Sequence, residues 1–112
     1  MKDIVIIEII NGEFAVSPED GDSVYELIKQ SLEKEEAISL DFRGIDIMTT
    51  AFLNNAIGKL YKNFNKDSLN KYISMKNIST SDLELIKKVI ERAKITFNED
   101  TIDSIQEAFE DE

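Results

Sequence analysis

The chain has 112 residues, of which 42% are hydrophobic and 32% charged, and its formal net charge is −10. That length suits one domain around one core, and the composition is that of a globular chain rather than a disordered one. The negative field repels phosphate backbones and anionic lipid head groups, which argues against nucleic-acid and membrane partners, and the lack of cysteine removes disulfides, thiolate nucleophiles and Cys-based zinc sites.

In chain order, the run Ile4 to Ile7 has the length of a strand and falls far short of the roughly 20 apolar residues that span a bilayer. Met1-Lys2-Asp3 leads straight into it without the basic and apolar regions of a secretory signal, so a cytoplasmic location is expected. The strand predicted over 3–10 ends at Asn11-Gly12, the dipeptide that most readily adopts φ > 0 in a type I′ turn, and a return strand through Glu13 to Ser17 would complete an N-terminal β-hairpin. Pro18 to Asp22 reads as a polar turn. Ser23 stands three residues before Glu26, the capping-box spacing, and predicts a helix that buries Val24, Leu27, Ile28 and Leu32.

Ala37 to Phe42 alternates Ile38, Leu40 and Phe42 with Ser39 and Asp41, a strand pattern, and Gly44 allows the turn that follows. Ile45, Ile47 and Met48 read as a buried connector. Thr49 or Thr50 then caps the strongest helical pattern of the chain, carrying Phe52, Leu53, Ala56, Ile57, Leu60, Tyr61 and Phe64. Gly58 within it costs about 1 kcal/mol relative to alanine, which implies close packing of this helix on the sheet. Lys71 to Met75 reads as a strand, and Ser79, Thr80 or Ser81 caps a helix showing Leu85, Ile86, Val89 and Ile90. A short strand at Lys94 to Phe97 and a C-terminal helix over about 99–110, striped by Ile102, Ile105 and Phe109, complete the expected order. The whole predicts one α/β domain over 1–112, with a mixed sheet, the hairpin and about four helices packed against it.

With neither His nor Cys, the commonest acid-base residue and the Ser-His and Cys-His pairs are missing, and no catalytic residue is assigned. Asp20 with Asp22, and Asp41 with Asp46, are the carboxylate pairs on offer, but turn chemistry and the helix dipole account for the first, and no EF-hand spacing surrounds it. No metal and no cofactor are expected. The glycines form neither GxGxxG nor a Walker loop. Lys59, Lys62, Lys66 and Lys71 read as a solvated rim.

Ser39-Leu40-Asp41-Phe42-Arg43-Gly44-Ile45-Asp46-Ile47-Met48-Thr49-Thr50-Ala51-Phe52-Leu53 resembles the strand, loop and helix start of STAS domains, the anti-anti-sigma factor family. It looks closest to a STAS-like family of unknown function whose members show D-F-x-G-[VI] followed by small hydroxylated residues and Phe. The resemblance implies a STAS-like fold and a regulatory role in binding another protein, with a histidine-kinase-type ATPase or an anti-sigma-like protein as partner. It also implies phosphorylation at the helix start, here Thr50 or Thr49, and a partner-binding loop of Asp41, Arg43, Gly44, Asp46, Thr49 and Thr50. The family's phosphorylation pattern is D-S-[ST]-G, and this chain has Thr49 in place of the Asp and Phe52 in place of the Gly.

An interaction module that is not an enzyme is therefore expected. The alternatives are a constitutive adaptor or homodimer subunit, using the hairpin edge or the C-terminal stripe, and a small carboxylate-dependent enzyme.

Overall fold

The structure, a computed structural model, describes residues 2–97. Strand β1 (Lys2–Val5) passes directly into a short helix, α1 (Ile6–Ile10), and is followed by β2 (Phe14–Ala15), α2 (Pro18–Glu33), β3 (Ile38–Asp41) and β4 (Ile47–Met48). The next helix, α3, is continuous through Thr50–Leu53, a π-helical turn at Asn54–Gly58, and Lys59–Asn63. After it come α4 (Lys66–Tyr72), β5 (Ile73–Lys76) and α5 (Thr80–Phe97).

The α/β class and the STAS-like architecture agree with the sequence reading; the pairing of the strands differs from it. A three-stranded sheet has the order β1-β3-β5, a separate pair joins β2 to β4, and every ladder among the described residues is parallel rather than mixed. Strand β3 is central, and all four of its residues are buried, Ser39 and Asp41 included. Sequence alternation suggested a polar face for this strand, but a central parallel strand is covered on both sides. The core beneath gathers Ile4, Ile28, Leu40, Phe52, Leu60 and Ile86.

The N-terminal hairpin does not form. A type I′ turn needs φ > 0 at both central residues, and here Asn11 alone is left-handed, at φ 59°, closing α1 through its N–H to the Ile7 carbonyl. The same residue that suits a hairpin turn also suits a helix terminus. Strand β2 is thereby freed to pair with β4, Phe14 opposite Ile47 and Ala15 opposite Met48.

Helix α2 begins earlier than the capping box at Ser23 implied. Ser17 is its N-cap, the Ser17 hydroxyl accepting from the Asp20 N–H at 3.1 Å, and Pro18 takes the first helical position, where a missing N–H costs nothing. Ser23 lies inside the helix and donates its hydroxyl to the Glu19 carbonyl. Gly21 marks the crossing with α3: a Cβ there would stand 2.4 Å from the Phe52 carbonyl oxygen. Gly58, expected to pack on the sheet, instead faces α5, where a Cβ would meet Val89 at an ordinary 3.5 Å.

Two further segments differ. Lys71 and Tyr72 end α4, so the strand begins only at Ile73, and Lys94–Phe97 continue α5 rather than forming a strand. With α1 and α4, five helices are present among the described residues; the C-terminal helix expected over about 99–110 lies outside them. Among the described residues no helix is long and apolar enough to cross a membrane.

Candidate functional site

The loop from β3 to α3 and the ends of β2 and β5 meet at one edge of the molecule. Chain reversal after β3 rests on Phe42 to Ile45, closed by the Ile45 N–H on the Phe42 carbonyl at 3.2 Å. Gly44 holds φ +76°, as the third residue of a type II turn requires, and its bare Cα sits where a Cβ would come within 2.9 Å of Ile7 Cδ1.

Asp41 is 3% exposed at the end of β3. Its Oδ1 accepts from the Asn77 amide at 2.9 Å and from the Arg43 N–H at 3.0 Å, while Oδ2 lies 3.5 Å from Arg43 Nε. Asn77 adopts φ 56° directly after β5, which turns its amide onto the carboxylate. The Asn77 hydrogen bond first, then the Arg43 N–H, and then the charges of Arg43 and Lys76 hold the Asp41 carboxyl below its ordinary 3.8, against the opposing effect of burial. The guanidinium is mostly exposed, so its ion pair adds little and the hydrogen bonds carry the effect. This residue braces the loop to β5.

A pH dependence follows. The unfolded chain binds the Asp41 proton more readily than the folded one, so the stabilisation is complete above the ordinary value and is lost as pH falls through the depressed folded value. Asp41→Asn is expected to unfold at lower denaturant than the native chain at neutral pH, with the gap narrowing below about pH 4. Urea titrations across that range check it; a gap that stays constant contradicts it.

Asp46 is exposed and anchored by its backbone, the N–H donating to the Glu13 carbonyl at 2.8 Å. Thr49 is the N-cap of α3. Its hydroxyl donates to the Val16 carbonyl at 3.1 Å and accepts from the Phe52 N–H at 3.3 Å, while its own N–H donates to the Ala15 carbonyl. Both functions of that hydroxyl are occupied. Thr50, next along, opens the helix with its side chain exposed. The sequence left the two threonines as alternative caps; the structure makes Thr49 the cap and Thr50 the accessible hydroxyl.

Beside Thr50 the surface is apolar. Phe14 is 53% exposed, Val16 41% and Ile47 48%. Phe14 and Ile47 are register partners, Val16 follows Phe14 by the two residues that return a strand to the same face, and Ala15 and Met48 point inward between them. Ile47 was expected in a buried connector with Ile45 and Met48; Met48 is buried, Ile45 is half-buried, and Ile47 is not buried at all.

Of the predicted loop, Asp41 and Arg43 form one hydrogen-bonded group together with Asn77 from outside it, Thr49 is tied to Val16 and Phe52, and Gly44, Asp46 and Thr50 stand apart from both sets of side-chain bonds. Sequence reasoning missed Asn77, Phe14 and Val16. Asn77 carried the signal of a residue that tolerates φ > 0 at a strand end, and Phe14 and Val16 flank Ala15 with strand periodicity. The carboxylates weighed as pairs have other partners: Asp22 accepts from Lys59 at 2.7 Å, and Asp41 is taken by Asn77 and Arg43. Among the described residues no three acidic side chains gather as metal ligands would.

A parallel sheet with its central strand running through a turn into a threonine-capped helix defines a STAS-like α/β domain. The chain belongs to the family described as STAS-like domain of unknown function (DUF4325), whose model matches residues 20–83. No curated protein and no solved structure matches it.

Proposed function

We propose that this chain is a regulatory protein-interaction module, without catalytic activity of its own, that docks a protein partner on the surface formed by Phe14, Val16, Ile47 and the start of α3. The exposed apolar trio beside an exposed Thr50 carries this reading. Large apolar side chains left in water in one contiguous patch are a common mark of an interface. The family resemblance points to a histidine-kinase-type ATPase or an anti-sigma-like protein as the partner, in the cytoplasm.

Thr50 is the natural position for a switch. A phosphate there adds a charge of about −2 at the helix N-terminus, where unpaired N–H groups and the helix dipole hold it, and it places that charge against the apolar patch. A partner surface that had buried Phe14 and Ile47 would then have to desolvate a dianion.

The test is capture from the native cell extract, with recovered proteins identified by mass. The native chain is expected to retain an ATPase or anti-sigma-type protein, and Ile47→Asp, expected to melt at the same temperature because the side chain is 48% exposed, is expected to lose it. Equal capture by both places the interface elsewhere. Recovery of further copies of the chain alone, insensitive to Thr50 changes, makes it a homo-oligomeric adaptor.

A further inference from the structure

Helices α3 and α5 enclose a cleft of about 300 Å³, large enough for a small metabolite. Its polar walls are unusual for a chain of net charge −10: Lys59 and Lys62 come from α3, Arg92 from α5, and the carboxamides of Asn54 and Asn55 stand beside them. Gly58, Val89 and Ala93 form the apolar part of the lining. Three cationic residues thus line one concavity of an otherwise acidic protein.

Two further features distinguish this cleft. First, the helix widens there. The Lys59 N–H bonds to the Asn54 carbonyl, five residues back, and a π-turn of this kind is rare and frequently accompanies functional sites. Second, the lysines are held differently. Lys59 is fixed by Asp22 at 2.7 Å and lies 5.7 Å from the centre of the Tyr25 ring, whereas Lys62 is exposed and has no ion pair among the described residues.

We infer that this cleft binds a small phosphorylated metabolite, with Lys62 and Arg92 contacting the phosphate and Asn54 offering an amide N–H, while Lys59, its charge offset by Asp22, shapes the wall. The planar fork of arginine matches phosphate oxygens in pairs, and lysine ammonium groups add point charge. The site lies on the α3–α5 side of the molecule and is independent of the proposed protein interface.

Titration calorimetry of the full chain at about 0.15 M ionic strength, where distant charges are screened beyond roughly 8 Å, tests this with inorganic pyrophosphate, ADP and citrate as probes. Saturable binding of pyrophosphate is expected, roughly tenfold weaker in Lys62→Ala, as loss of one charged hydrogen bond implies. It should be unchanged in Lys87→Ala, which removes the same charge from an exposed position of α5 outside the cleft. Tighter binding of ADP than of pyrophosphate supports the site with a nucleotide as occupant, and equal binding supports it with phosphate alone as the recognised group. No saturable binding of either, equal weakening in Lys62→Ala and Lys87→Ala, or citrate binding as tightly as pyrophosphate overturns it.

Discussion

Phe52→Ala is expected to destabilise the fold by about 3–5 kcal/mol, the range for truncating a fully buried Phe. Phe52 is 1% exposed and is the largest of the fully buried side chains. Its removal leaves a cavity where α3 meets α2 and α5, and the loss is a large share of the roughly 5–15 kcal/mol by which domains of this kind are stable. Phe14→Ala is the counterpart. That side chain is 53% exposed, so the same chemical change should alter stability by no more than about 0.5 kcal/mol while weakening partner capture. Urea unfolding separates the two through the midpoint at constant slope. Comparable losses for both would contradict the assignment of one Phe to the core and the other to the surface.

Gly21→Ala should also destabilise, by about 2 kcal/mol, although helix propensity alone would predict a gain of about 1 kcal/mol. The new Cβ would lie 2.4 Å from the Phe52 carbonyl oxygen, 2.9 Å from Asn55 Cβ and 3.1 Å from the Ala56 N. Two of these neighbours are backbone atoms and cannot rotate away, so α2 and α3 must move apart. Overpacking of this kind costs up to about 3 kcal/mol, which outweighs the propensity gain. Because Asn55 and Ala56 belong to the π-turn, the same substitution should disturb the cleft beside it. A midpoint that stays level or rises would mean that the crossing relaxes freely.

Gly21 also shows where the sequence was hard to read. A glycine three residues after a proline looks like a turn, and Pro18 to Asp22 reads as one, yet the glycine serves a helix crossing that becomes visible only once α3 is in place. Capping chemistry also permits the Ser17-Pro18 start of α2, but in the sequence Ser17 reads as part of a strand and the Ser23–Glu26 spacing as the helix start. At Asn11 the ambiguity is physical: a left-handed residue closes a helix or opens a hairpin equally well, and the choice is made by β4, which starts at Ile47, far along the chain, and takes β2 as its parallel partner.

By contrast, the segment from Ser39 to Leu53 was readable because its constraints are local. Gly44 must turn the chain, a threonine must cap α3, and the periodicity of Phe52, Ala56 and Leu60 faces one core. The exposure of Ile47 was not readable, since it depends on a two-residue strand pairing with β2. Asn77 as the partner of Asp41 depends on β5 lying beside β3, a contact across 36 residues.

The most direct test of the interaction reading is equilibrium binding of the purified partner to three forms of the chain: native, Thr50→Ala and Thr50→Asp. Native and Thr50→Ala are expected to bind alike, since Thr49 rather than Thr50 caps the helix, and Thr50→Asp at least roughly tenfold more weakly because it adds a charge beside the apolar patch. Equal affinity for all three forms would contradict that reading and leave Thr50 as a surface residue of α3.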